Sequence, residues 1–105
     1  MTNLYVQESF INKTEGYRFG DSDVYESFCD TPGEVYRYGL KEYGRCTGKV
    51  YVGDGVHVGW VFEGRQRYED TGEPYVRQVW VTVHDAPETV TRERHYHAIG
   101  KGARS

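Results

Sequence analysis

The stretch from His57 to His84 constrains this chain more than any other feature, because its alternation admits few folds. Val58, Trp60 and Phe62 occupy every second position before the turn-forming run Asp70-Thr71-Gly72-Glu73, and Val79, Val81 and Val83 do so after it. A period of two, carried by Val and aromatic residues, marks a strand with one buried face. The segment reads as a long β-hairpin. A two-residue loop at Thr71-Gly72 sets Phe62 opposite Val81, Trp60 opposite Val83 and Tyr68 opposite Tyr75, all on the core face. The other face then pairs Glu63 with Trp80, Arg65 with Gln78 and Arg67 with Val76. A core-facing side and a mixed charged and aromatic side on one rigid element form a frame for a binding surface.

The remainder of the chain must supply elements that cover the apolar side of this hairpin. Leu, Ile, Val and Phe total 21 of 105 residues, near the level at which a chain fails to fold. The low net charge of −3, 13 Val, 10 Tyr and 2 Trp restore the globular reading, since Tyr and Trp bury large areas with a polar end. Val and Tyr favour strands, and the helix formers Ala and Leu are scarce. The length suits one domain, expected over residues 1–99, with 100–105 a flexible tail.

Leu4 to Ile11 reads as a first strand, Asn12 to Gly16 as a turn, and Tyr17-Arg18-Phe19 as the returning partner. Val24 to Phe28 is a short extended piece. Thr31-Pro32-Gly33-Glu34 is a capping box with Pro at the first helical position, and Gly44 supplies the stop. Between them Tyr36, Gly39, Leu40 and Tyr43 form one stripe, while Arg37, Lys41 and Glu42 face water. Gly39 lowers helix propensity by about 1 kcal/mol against Ala, a cost offset by close approach of the helix to the sheet. Lys49 to Val52 is a strand. A three-residue loop, 53–55, would pair Val52 with Val56 and Val50 with Val58, and is preferred to a shorter loop that sets Lys49 opposite Trp60. Beyond His84, Asp85 to Glu88 could cap a short helix, and His95-Tyr96-His97 looks like an extended edge. The expected fold is α+β: a single α-helix packed on an antiparallel β-meander with a long β-hairpin.

Several chemistries are disfavoured. Interleaved Arg and Glu, with a pI near 5.8, argue against binding DNA or a membrane mainly through released counterions. Cys29 and Cys46 are too few for a disulfide scaffold and match no zinc spacing, and read as two reduced thiols, although one bridge across the helix ends is an alternative. His95 and His97 alternate on a strand and could hold a metal with His84, Cys29 or Asp85, but exposed histidines near a terminus explain them more simply. Gly53-x-Gly55 precedes a strand, not a helix, so it reads as a turn and not as a phosphate loop. No nucleophile signature is visible, and no catalytic residue, metal or cofactor is assigned. No signal peptide, transmembrane run or lipidation motif is visible, so the expected location is the cytoplasm. The assigned binding surface is Glu63, Arg65, Arg67, Gln78 and Trp80, where an indole lies beside planar cations.

The segments Gly59-Trp60-Val61-Phe62-Glu63, Tyr68 to Tyr75 and Val79 to Val83, together with Asp30 to Glu34 and Tyr43 to Gly48, resemble small uncharacterised accessory proteins of actinobacterial phages. The resemblance covers about residues 24 to 97 and brings no catalytic residues. It implies a protein that binds a host component in the host cytoplasm. The expected function is therefore non-enzymatic docking on a host protein through a sheet face, with self-association through the same kind of face left open. The alternative is a nucleotide- or RNA-sequestering protein, which the Arg and aromatic face permits and the acidic balance opposes.

Overall fold

A computed structural model describes residues 4–20, 22–52, 55–84 and 96–100. In chain order the elements are β1 (Tyr5–Asn12), β2 (Tyr17–Arg18), β3 (Asp23–Glu26), α1 (Pro32–Glu42), β4 (Arg45–Val52), β5 (His57–Arg67), β6 (Pro74–His84) and β7 (Tyr96–Gly100). The strands form one sheet in the order β2-β1-β6-β5-β4-β7, with β3 pairing β1 on the β2 side. Every pairing is antiparallel. The fold is α+β with a single described helix. It departs from a pure meander at both ends: β1 pairs with β6 along eight residues, Tyr5 to Asn12, and β7 pairs with β4 and not with β6. The N-terminal strands therefore extend the sheet sideways and do not cover it.

The main hairpin keeps the expected faces but not the expected register. Phe62 faces Val79, Trp60 faces Val81, Glu63 faces Gln78, Arg65 faces Val76 and Arg67 faces Pro74. Each partner is shifted by two residues from the pairing that a loop at Thr71-Gly72 would give. The cause is the loop, which Tyr68 N–H closes on the Glu73 carbonyl (2.9 Å), with a second bond from Gly72 N–H to the Tyr68 carbonyl (2.8 Å). A four-residue loop replaces a two-residue one. A shift of two preserves which side each residue faces, so hydrophobic alternation alone does not distinguish the registers. Tyr68 and Tyr75 still meet, but as diagonal neighbours, stacked at 4.5 Å.

The β4–β5 hairpin closes where expected, Val52 N–H donating to the Val56 carbonyl at 2.9 Å. Register irregularities between Cys46 and Gly48 and between Val50 and Tyr51 then place Val50 opposite Gly59, and Lys49 opposite Trp60 after all. The two irregularities are bulges that cancel, so Arg45 ends opposite Glu63.

Helix α1 begins as its capping box requires. Thr31 Oγ1 accepts from Glu34 N–H and donates to the Glu34 carboxylate, both at 3.3 Å, and Pro32 opens the helix. The buried stripe is Val35, Tyr36, Gly39 and Tyr43; Leu40 turns outward and is 40% exposed. Leu40 leaves the stripe because the helix contact is centred on Gly39, where an added Cβ would overlap the Phe62 ring, and Val35 lies nearer that centre line. At the C-terminal end Gly44, with φ +122°, runs against the backbone of Glu63 and Gly64, where any side chain would collide. Arg77 closes this end. Its guanidinium lies over Phe10 (5.9 Å) and Tyr43 (5.6 Å) and donates to the Glu42 carbonyl at 3.4 Å, a favourable place for a cation at a helix C-terminus.

The core lies between α1 and the sheet: Val6, Val35, Phe62, Val79 and Val81, with both cysteines buried beside them as free thiols. One carboxylate shares this space. Glu8 is 5% exposed and accepts a short hydrogen bond from the Tyr43 hydroxyl, and the Tyr25 hydroxyl bonds it from β3. Burial first, and then the Glu8 carboxylate, raise the pKa of Tyr25 and Tyr43 well above the usual phenol value. The two phenols satisfy a charge that would otherwise be costly to bury.

Candidate binding site on the helix-free face

The opposite side of the sheet carries the polar surface, and strand register arranges it in rows. One row crosses five strands: Arg18 on β2, Ile11 on β1, Gln78 on β6, Glu63 on β5 and Arg45 on β4. The row toward the core end holds Ser9, Trp80, Val61 and Gly48. On the hairpin-tip side Val76 faces Arg65, and Pro74 faces Arg67. Cross-strand partners project from the same face, so these side chains form one surface.

At its centre a chain of hydrogen bonds fixes four side chains. Lys13 Nζ and Gln78 Nε2 each donate to Glu63 Oε2 at 2.9 Å, and Trp80 Nε1–H donates to Gln78 Oε1 at 2.7 Å. Lys13 reaches this point because the preceding turn is locked. Asn12, fully buried, accepts from Glu15 N–H (2.9 Å) and donates to the Tyr68 hydroxyl (2.8 Å), while Lys13 N–H bonds the Val76 carbonyl (2.8 Å). Burial would push the Glu63 carboxyl up. The bonds from Lys13 and Gln78 and the Lys13 charge outweigh it and hold the group below the usual carboxylate range.

Around this chain lies a depression of about 370 Å³ walled by Thr47, Gly48, Val61 and Trp80, with Lys13 and Arg45 at its rim. It adjoins a second, about 380 Å³, lined by Arg45, Glu63, Arg65 and Val76. These volumes fall within the range of small-ligand and side-chain pockets. Arg45 and Arg65 are exposed and have no hydrogen-bond or ion-pair partner among the described residues.

Of the five surface residues assigned from the sequence, Glu63, Gln78 and Trp80 are joined directly and Arg65 lines the adjoining depression. Arg67 stands apart at the hairpin tip, its guanidinium committed to the Gly72 carbonyl at 2.7 Å. Lys13, Arg45 and Thr47 were not singled out, yet they complete the site. Of the residues weighed as metal ligands, Cys29 and His84 are not brought together: Cys29 sits in the core beneath the helix, whereas His84 lies buried on the other face with Nε2 2.9 Å from Thr82 Oγ1. Asp85, His95 and the side chain of His97 lie outside the described residues. Among the described residues no three His, Cys, Asp or Glu side chains are placed to hold a metal.

A second exposed patch lies on the helix side, past the end of α1. Tyr17, Phe19, Tyr68 and Tyr75 form a string of contacting rings, with Tyr17 46% and Phe19 38% exposed. Tyr68 is anchored there by Glu15, whose carboxylate raises the phenol's pKa. Among the described residues no helix is long and apolar enough to cross a membrane. No protein family, no curated protein and no solved structure matches the chain.

Proposed function

We propose that this chain is a non-enzymatic binding module that docks on a protein through the helix-free face of its sheet. One observation carries the reading: the Lys13–Glu63–Gln78–Trp80 chain is joined by internal hydrogen bonds, and beside it two guanidiniums project without partners among the described residues. A surface whose centre is already ordered loses little freedom when a partner arrives. A shallow, flat face with a half-buried Trp and Arg at the rim matches the anatomy of a protein hot spot better than that of a substrate cleft. The likeness of residues 24–97 to phage accessory proteins makes a host protein, met in the host cytoplasm, the expected partner.

The reading is tested by capture from host lysate on immobilised protein, with Trp80→Ala and Thr47→Arg as variants inside the site and Leu40→Ala on the helix exterior as control. A stoichiometric protein retained by wild type and Leu40→Ala but lost in both site variants supports it. Equal capture by all four chains places the interface elsewhere. A melting screen with mono-, di- and cyclic nucleotides checks the nucleotide alternative, since a ligand at a hundred times its dissociation constant adds about 2.7 kcal/mol of stability.

A further inference from the structure

We infer that the helix-free face recognises an extended acidic polypeptide segment, with carboxylates at alternate residues set against Arg45 and Arg65. This rests on the docking reading and names the chemistry of the partner. The first observation is a separation of charge. The chain is net −3, yet rows of this one face bring Arg18, Arg45 and Arg65, with Lys13, around Glu63, while among the described residues the other carboxylate in its strand rows, Glu26, lies at the far end beside Tyr5. Glu63 is already paired, 11% exposed and bonded by Lys13 and Gln78, so it does not repel an incoming anion as a free carboxylate would.

The second observation is spacing. Arg45 faces Glu63, and Arg65 lies two residues further along β5 on the same side. Their backbones are therefore diagonal neighbours, roughly 7–8 Å apart. Carboxylates at i and i+2 of an extended chain are about 7 Å apart, because each residue advances 3.2–3.4 Å. A planar guanidinium takes a carboxylate through two parallel N–H bonds, so two unpartnered arginines at this spacing can each hold one. The depression walled by Val61, Thr47 and Trp80 would take the apolar or small side chain next along the segment.

RNA fits the same face less well. Its charge extends beyond the patch into the field of an acidic molecule. Trp80, the aromatic ring among the described residues lining this depression, is half-buried and already donates its indole N–H to Gln78, leaving little platform for stacked bases.

The test is fluorescence anisotropy with labelled Glu-Thr-Glu-Thr-Glu-Thr-Glu, its Gln-Thr counterpart and octauridylate, at low salt where screening is weak. The acidic peptide is expected to bind, the neutral one not, and Arg45→Glu/Arg65→Glu to weaken binding by about tenfold or more. Both arginines are exposed, so the variant keeps its fold, checked by its melting temperature. Absence of binding, or equal binding by wild type and variant, overturns the inference, as does octauridylate binding more tightly than the acidic peptide. If protein capture from lysate survives Arg45→Glu/Arg65→Glu but is lost in Trp80→Ala, the docking face stands and the acidic partner falls.

Discussion

The two faces of this sheet use the same strands to opposite ends. Beneath α1, polar groups are few and enclosed: Glu8 meets Tyr25 and Tyr43, and Arg77 is wrapped by Phe10 and Tyr43, its buried Nε without a hydrogen-bond partner among the described residues. On the other face the hydrogen-bonded centre is equally well ordered, but Arg45 and Arg65 at its flank have no partner among the described residues. A buried carboxylate answered by two phenols is a fold device. Under the proposed docking function, guanidiniums that have no partner among the described residues, beside an ordered centre, serve recognition. The contrast separates stability from binding, and substitutions on each face should move one and leave the other.

The largest expected effect is on the covered face. Phe62→Ala removes the ring that meets Tyr36, Tyr43 and Gly39, and should cost about 3–5 kcal/mol in denaturant unfolding, while the folded fraction still binds acidic peptide. Glu8→Ala leaves two phenols without their acceptor and should cost about 1–3 kcal/mol by the same measurement. Loss of peptide binding beyond the unfolded fraction in either variant would break the separation.

Alkaline titration sharpens it. Tyr25 and Tyr43 hold their protons more tightly in the fold than in the unfolded chain. Their contribution to stability is intact below the ordinary phenol value, about 10, and is lost as pH rises above it. Phenolate absorbance should therefore show these two tyrosines ionising with unfolding, and not with the exposed ones. Early ionisation of all ten would contradict a closed Glu8 site.

On the open face the expected stability effects are small. Arg45→Glu/Arg65→Glu should shift unfolding by no more than about 0.5 kcal/mol while abolishing peptide binding. Glu63→Gln should cost under about 1 kcal/mol at neutral pH, because Lys13 is half-exposed. The folded Glu63 carboxyl is held below its unfolded value of about 4.3, so the wild-type advantage is present above that pH and disappears as pH falls through the folded value. A gap between wild type and Glu63→Gln that persists in acid would show that lost packing, not the ion pair, explains it.

Local chemistry made much of this legible from the residues. The capping box at Thr31, the stop at Gly44, the turn after Asn12 and the faces of the long hairpin all follow from short-range rules, and each is where it was expected. The hairpin register was not legible, because a slip of two residues leaves every side chain on its original face, and the choice is made by the hydrogen bonds of loop 69–72. Glu63, Gln78 and Trp80 were found because they lie on that hairpin. Arg45 was within reach, since continuing the three-residue-loop register from Val52 and Val56 leads to Arg45 opposite Glu63. Lys13 was not, because its place depends on β1 pairing with β6 some seventy residues away, and no local pattern encodes a non-local neighbour. The buried Glu8 has the same origin. It sits on the core face of β1 as one polar residue in an apolar alternation, and the phenols that satisfy it come from β3 and the end of α1.

The most direct test of the division between the faces is a heteronuclear NMR titration of the labelled protein with the alternating Glu-Thr peptide. Shifts should concentrate on the backbone amides of Arg45, Thr47, Glu63 and Arg65 and on the Trp80 indole N–H, with Val35, Gly39 and Tyr43 unmoved. Shifts centred on the Tyr17, Phe19 and Tyr75 patch, or spread over α1, would contradict it.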